Sequence, residues 1–499
     1  MIFLGVDCGT QSTKTIALDW ETGELLTSAH QVYGFVPDLT GGAMEQNPQD
    51  WVDGADITIS AVLTALGSRK SEVCGIGVSG QQHGLVVLDA NDQVVRPAKL
   101  WCDTSTTTQC AEITSHFGGP TALTALVGNS MRPGYTAPKV LWLRQNEPEN
   151  WQKTHSVLLP HDYLNFWLTG QKSMEFGDAS GTALLDIETR QWCTKVVDFI
   201  ADDLPDKLPA LRSSKKSRGV LRDELRQKWG LSKSVSVSAG GGDNMMAAIG
   251  TGNVQPGVVT TSLGTSGTLF AFSATPIVDR IGEVAGFCDS TDNWLPLVCT
   301  MNVTLVTEHL RKLFAWDYAS MEETIRSVPA GSGGLLMLPY LTGERTPDLP
   351  NGRGILYGLN LDNFNPAHLA RAAMEGVTLG LGYGLARFRE LGLNPHEIRL
   401  TGGGSNSKIW RQICADIFNV PTVCLKNGEG AGLGAAIQAG WVWNKENGSD
   451  ASLAEICERL VETDESSRTL PNGAAAATYA GVLKRAGDIR NALESVHLL

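Results

Sequence analysis

The chain runs to 499 residues, enough for roughly two to four domains and a large buried core. Apolar residues make up 42% and charged residues 19%, a globular profile that excludes disordered, collagenous and membrane-spanning classes. Lys and Arg number 40 against 53 Asp and Glu. The net charge of −13 excludes nucleic acid and anionic lipid as default partners, though not a small anion met by local donors or a metal ion.

The first residues, MIFLGVDCGT, reach Asp7 without a basic flank or a cleavage site, so they do not read as a secretory signal. Residues 2–6 and 15–18 are short apolar runs around a polar turn, which predicts strand, turn, strand. A further strand is predicted over 73–78, running into the loop SGQQHG, with another apolar run at 85–88. Residues 135–170 turn helical, with Trp142, Trp151 and Trp167 set among polar residues. The charged segment 213–229 predicts a solvated surface helix rather than an anion site. Residues 235–239 form a β-type run broken by Gly240, Gly241 and Gly242, after which Asp243 and Asn244 open an apolar helix. Residues 258–271 then repeat the opening strand, turn and strand, and each turn holds Gly-Thr: Gly9-Thr10 and Gly264-Thr265. Two halves that begin with one device point to an internal duplication. The boundary falls near residue 240, giving domains 1–240 and 241–499 built of α/β layers. Ten cysteines without C-x-x-C spacing carry no zinc-ribbon or thioredoxin motif, and no run of 18 apolar residues occurs. A cytoplasmic protein with reduced thiols is expected.

Glycine-rich turns whose N–H groups point outward make anion pockets, and three are candidates: DCGTQSTK (7–14), LGTSG (263–267) and TGGGSNS (401–407). None is a Walker A loop, since no Gly-Lys is followed by Ser or Thr. The segment GAGLGA (430–435) fits a relaxed dinucleotide pattern, but small residues that let a helix pack closely explain it as well. The Gly-Thr hairpins have a plain alternative too, tight turns with a positive-φ glycine.

A Gly-Thr hairpin with Asp two residues before its glycine, repeated halfway, is similar to the phosphate hairpins of the actin-like ATPase superfamily. Within it the chain resembles the FGGY carbohydrate kinases. The family's first signature is matched by GYTAPKVLWLRQN (134–146) and its second by GILYGLNLDNFNPAHLARAAME (354–375). QQHG (81–84), GGGDN (240–244), SLGTSG (262–267) and LTGERTP (341–347) complete an ordered set. The resemblance implies two duplicated actin-like (ribonuclease H-like) α/β domains with a cleft between them. It implies transfer of the ATP γ-phosphoryl group to a sugar with Mg²⁺, the best substrate being D-xylulose, phosphorylated at O5. A kinase for another ketose or polyol, such as ribulose or a glycerol-like compound, is the alternative. Members acting on xylulose commonly carry Met where Gln82 stands and Asn where Cys102 stands, both on the sugar side.

The resemblance also distributes roles. Asp243 is the catalytic base that accepts the sugar proton, and a helix N-cap in the plain reading. Asp7 supports the Mg²⁺ ion through water, and would otherwise be a turn residue. Thr10, Lys14, Gly264 and Thr265 contact the phosphates, Lys14 being a surface charge in the alternative. Gln82, His83, Asp103, Asp243 and Asn244 bind the sugar, against readings of a core histidine and an ordinary loop aspartate. Gly240 to Gly242 let the backbone approach the transferring phosphate. Gly402, Gly403 and Gly404 form the adenosine wall with Ser407 nearby, and Glu344 and Arg345 form a structural ion pair. The partners are a sugar and ATP, without nucleic acid or membrane; oligomeric state is open, a homodimer among the options. An actin-like ATPase module without sugar chemistry would not need Asp243 together with QQHG, and an oxidoreductase would rest on GAGLGA alone.

Overall fold

The computed structural model describes residues 1–499 and separates them into two compact units. The first comprises 1–255, 272–296 and 429–461; the second comprises 256–271, 297–428 and 462–499. The chain opens with strands β1 (Ile2–Cys8), β2 (Ser12–Asp19) and β3 (Leu25–Val32), helix α1 (Pro48–Leu66) and strand β4 (Val73–Gly80). Helices α2 (Thr136–Asn146), α3 (Pro160–Thr169) and α4 (Phe176–Ser180) follow, then β5 (Gly219–Val220), α5 (Asp223–Lys228), β6 (Ser236–Val237) and α6 (Asp243–Gly250). Next come β7 (Val258–Leu263), β8 (Gly267–Ala271), β9 (Trp294–Thr300), α7 (Thr304–Leu313), α8 (Tyr318–Arg326) and the long α9 (Pro366–Glu390). The remainder is β10 (Glu397–Thr401), α10 (Lys408–Phe418), β11 (Thr422–Leu425), α11 (Gly430–Glu446), β12 (Thr463–Thr469) and α12 (Gly473–Ser495).

The first unit's sheet has the order β5-β6-β4-β1-β2-β3, with the short strand Gly241–Gly242 also on β4. β1, β2 and β3 form an antiparallel meander, and β4 runs parallel to β1 and β6 to β4. The second unit's sheet repeats this plan in β9-β8-β7-β10-β11-β12. Its β7, β8 and β9 are again an antiparallel meander, and β10 and β11 again run parallel, before β12 closes antiparallel. The predicted duplication is therefore present in strand order and direction, not only in the Gly-Thr turns.

Packing explains why β1 reads as a continuous apolar run: every residue of it but Asp7 is buried. Helix α1 packs on β2 and β3, and α11 on β1 and β4. Strands covered on both faces lose polar alternation. Trp51, Ile59 and Val62 of α1 join Leu4, Val6, Ile76 and Val78 in the core. The segment GAGLGA proves to be a packing device. A Cβ on Gly5 or Gly77 would lie 2.0 Å from the carbonyl oxygen of Gly432 or Ala435. A Cβ on Gly250 or Gly434 would lie 1.8 Å from the carbonyl oxygen of Gly430 or Met246. Backbone thus meets backbone between α11, the sheet and α6, which only glycine permits.

One expectation is revised. Segment 213–229 is not a solvated helix, because only Asp223–Lys228 is helical and Gly219, at φ 119°, turns the chain into an edge strand. Arg218 is 3% exposed and its guanidinium donates to the carbonyls of Arg212, Ser213 and Lys216, so one charge of the run is an internal staple. The last ~55 residues, which carry no legible motif, contain α12. There Tyr479 donates to Glu375 (2.6 Å) and accepts from Arg371 (2.7 Å), tying α12 to α9 through a buried triad. No helix is long and apolar enough to cross a membrane.

Candidate active site

The turn between β1 and β2 is closed by Gly9 N–H donating to Ser12 O at 3.0 Å. Neither Gly9 nor Gly264 takes a positive φ, so the plain alternative of a left-handed glycine turn does not apply. At Gly9 a Cβ would meet its nearest atom at 3.6 Å, an ordinary contact. Neither backbone conformation nor packing demands glycine there. Thr10 accepts from Trp101 Nε1 through its hydroxyl (2.9 Å) and from Gln46 Nε2 through its carbonyl (2.6 Å). Lys14 forms an ion pair with Glu429, the residue that precedes α11.

Asp7, at the end of β1, accepts from Ser79 Oγ at 2.7 Å through Oδ1. Burial raises its pKa, the Ser79 hydrogen bond opposes this, and Glu429 adds to the rise. Asp243 is the first residue of α6, with Gly242 as the cap, so its carboxylate is not consumed as the predicted N-cap. Asp243 Oδ1 accepts from the backbone and side-chain nitrogens of Asn244 at 2.7 and 3.0 Å. Burial, with the Asp7 and Asp178 carboxylates, pushes the Asp243 pKa up to about 7. Each carboxylate has an oxygen that these hydrogen bonds leave unused. Two carboxylates that oppose each other's ionisation fit a hard cation, which offsets that repulsion.

The three glycines before Asp243 each have a close protein neighbour. Gly240 has φ 67° and would place a Cβ 2.5 Å from Val78 O; Gly241 and Gly242 would meet Ser290 Oγ at 2.0 Å and Gln82 Cγ at 2.6 Å. Gln82 is thereby brought against Asn244. Its Oε1 accepts from Asn244 Nδ2 at 2.7 Å and its Nε2 lies 3.1 Å from Met245 Sδ. His83 follows with φ 63°, its carbonyl accepting from Lys139 Nζ (2.8 Å) and Thr136 Oγ1 (3.1 Å). Both donors lie in the stretch 134–146, which gives that stretch a physical role: it pins His83. Burial pushes the Lys139 pKa down to about 7.

Asp103 lies in a network of protein donors. It is fully buried, and its oxygens accept from Met44 N (2.9 Å), Ser105 N (2.9 Å), Ser105 Oγ (2.6 Å) and Lys99 Nζ (3.2 Å). Burial works to raise its pKa, but these donors outweigh it and hold the carboxyl below the usual range. It orders the loop that carries Trp101.

In the second unit, the β7–β8 turn is anchored by Thr304 N–H donating to Gly264 O (2.9 Å) and Val303 N–H to Thr265 O (3.1 Å). The Thr265 side chain stays exposed. Gly402, at φ 80°, and Gly404 would each place a Cβ 2.8 Å from Leu263, so both serve contact with β7. Gly403 would meet nothing within 4 Å. It lines a pocket of about 490 Å³ with Gly404, Ser407, Tyr318, Met321, Met374 and Trp410. Ser407 caps α10, accepting from Trp410 N at 3.2 Å. The aromatic and methionine wall comes from three helices far apart in sequence, and no local pattern announces it. Glu344 accepts from Met301 N (2.6 Å), Arg345 N (2.8 Å) and Asn302 Nδ2 (3.1 Å), a structural role carried by these donors.

Comparison with known proteins identifies the family. Residues 2–250 match the family model for the N-terminal domain of the FGGY family of carbohydrate kinases, and residues 259–443 match the one for its C-terminal domain. The xylulose kinase of Haemophilus influenzae is 41% identical, covering 97% of this chain and 98% of the relative. The structure of a xyloylose kinase from Brucella ovis superposes with a TM-score of 0.92 at 31% identity, covering 99% and 100% of the two chains. That of a gluconate kinase from Lactobacillus acidophilus superposes with a TM-score of 0.91 at 26% identity, covering 99% and 98%.

Proposed function

Because this chain belongs to the FGGY family of carbohydrate kinases, we propose that it transfers the γ-phosphoryl group of ATP to D-xylulose, giving D-xylulose 5-phosphate and ADP. In this reading the sugar O5 forms the new O–P bond as the bond from the γ-phosphorus to the ADP oxygen breaks, and Asp243 accepts the O5 proton. A carboxyl whose pKa sits at about 7 is well placed for that task, since it is both available as a base and basic enough to take the proton. Phosphoryl transfer otherwise rests on positioning and charge. Asn244 and Gln82 orient Asp243, and His83 contacts the sugar. Asp7 would hold Mg²⁺ through a bound water, and the ion would offset phosphate charge. Thr10, Lys14, Gly264 and Thr265 meet the phosphates, and Gly402 to Gly404 with Ser407 and the 490 Å³ pocket take the adenosine. The sequence halves 1–240 and 241–499 then carry the sugar side and the adenosine side respectively. We place the reaction in the cytoplasm.

One observation carries the choice of sugar: the 41% identical relative, matched along nearly its whole length, is a xylulose kinase. The gluconate kinase fold neighbour makes an aldonate the specific competitor. An ADP-release assay with D-xylulose, D-ribulose, glycerol and gluconate decides between them. D-Xylulose is expected to give the highest kcat/KM; a higher value for any of the others overturns the assignment.

A further inference from the structure

The mechanism above uses His83 but not the buried groups that grip it. Asp178, in α4, is wholly buried. Its Oδ1 lies 3.2 Å from His83 Nδ1 and accepts from the His83 backbone N–H at 3.3 Å. Its Oδ2 lies 3.3 Å from Nδ1 of His161, whose Nε2 lies 3.0 Å from Asp162. His161 is likewise fully buried. Burial alone would discharge these groups, but they compensate one another: the two histidines hold the Asp178 pKa at about 2, and the two carboxylates hold that of His161 at about 10. Asp178 is thus a fixed anion beside His83.

Gly181, immediately after α4, completes the grip. Its φ of −78° and ψ of −3° suit any residue, so its backbone does not require glycine. Space does. A Cβ there would lie 1.9 Å from His83 Cε1, 2.1 Å from Nδ1 and 3.1 Å from Nε2, and these are its three nearest atoms. The ring also meets Tyr135 and Phe287, with centroids 5.0 and 5.3 Å away.

We propose that Asp178 and Gly181 are positioning residues for the sugar step: they hold the His83 ring in one orientation, the Asp178 carboxylate beside Nδ1 and the space at Gly181 filled by the ring. A carboxylate beside an imidazole nitrogen favours one orientation of the ring. The inference rests on His83 being a sugar ligand, and the experiment separates the two. Steady-state kinetics are measured for His83→Ala, Gly181→Ala, Asp178→Asn and the double variant His83→Ala/Gly181→Ala, with thermal melts alongside. Gly181→Ala is expected to raise the D-xylulose KM about tenfold or more while the ATP KM moves less than about twofold. In the His83→Ala background the same substitution should add less than about twofold, because its effect passes through the missing ring. Equal effects in both backgrounds overturn the positioning role. If Gly181→Ala melts early, removing the ring must restore the melting temperature, and failure to do so also overturns it. A raised KM in His83→Ala with an unmoved KM in Gly181→Ala defeats this inference alone. An unmoved D-xylulose KM in His83→Ala defeats the sugar-ligand reading beneath it.

Discussion

The amide of Gln82 reaches Asp243 through one intermediary, since its Oε1 holds Asn244 Nδ2, which also donates to Asp243 Oδ1. Gln82→Met removes that acceptor while keeping the bulk. A neutral hydrogen bond is worth about 1 kcal/mol, so kcat is expected to fall about fivefold with little change in D-xylulose KM. A shift in KM at constant kcat would make Gln82 a direct sugar ligand instead. Asp243 makes a sharper case. Asp243→Asn keeps an acceptor for Asn244 N–H but cannot take a proton, so kcat should fall by about 10²-fold or more. The acid limb of the wild-type kcat/KM profile should lie near pH 7, an apparent value belonging to the coupled Asp7 and Asp243 carboxylates, and should vanish in the variant. Stability gives an independent check. A carboxyl raised from its ordinary value to about 7 contributes most below its unfolded pKa, and that contribution is lost as pH rises towards 7. Asp243→Asn should therefore melt higher than wild type at pH 8 and show no such gain at pH 4. Much of this neighbourhood was legible because Gln82–His83 and Gly240–Asn244 are contiguous motifs. Asp178, Gly181 and His161 were not, because they act on His83 from separate places in the chain and only the fold brings them to its ring.

Among the elements, strands β1, β2, β7 and β8 were readable from short apolar runs flanking a polar, glycine-containing turn. The charged segment 213–229 misled because charge counts do not distinguish a solvated arginine from Arg218, whose donors are spent on carbonyls. Glycines were ambiguous for a related reason: spacing alone does not say whether protein or ligand fills the missing side chain. Two substitutions separate these cases. Gly434→Ala drives a methyl to 1.8 Å from Met246 O, so α6 and α11 must part, and urea denaturation should show a loss of about 3 kcal/mol. Gly403→Ala meets no atom within 4 Å and should leave the urea midpoint within about 0.5 kcal/mol of wild type. It narrows the 490 Å³ pocket, so the ATP KM should rise severalfold while that for D-xylulose holds.

For the molecule as a whole, the charge of −13 and the Asp7 charge that raises the Asp243 pKa set the terms on which a polyanion binds. Turnover is expected to cease in excess EDTA and to return with added Mg²⁺; full activity in EDTA would remove Asp7 from its assigned role. The duplication was legible in the paired Gly-Thr turns, and the structure extends it to six strands in each sheet. No motif signals that the first unit is discontinuous, since its returning segments 272–296 and 429–461 carry ordinary strand and helix patterns.

That discontinuity has a consequence for biosynthesis. Helix α11 covers β1 and β4, yet it leaves the ribosome after almost all of the second unit's sheet. At ~5–20 residues per second, roughly 20–70 s separate the emergence of Gly80 from that of Glu446. Through that interval the backbone grooves at Gly5 and Gly77, shaped to admit another backbone, stand open on the nascent chain. Vectorial folding, in which an early domain matures before the next is made, is closed to this molecule. Its first domain is finished nearly last.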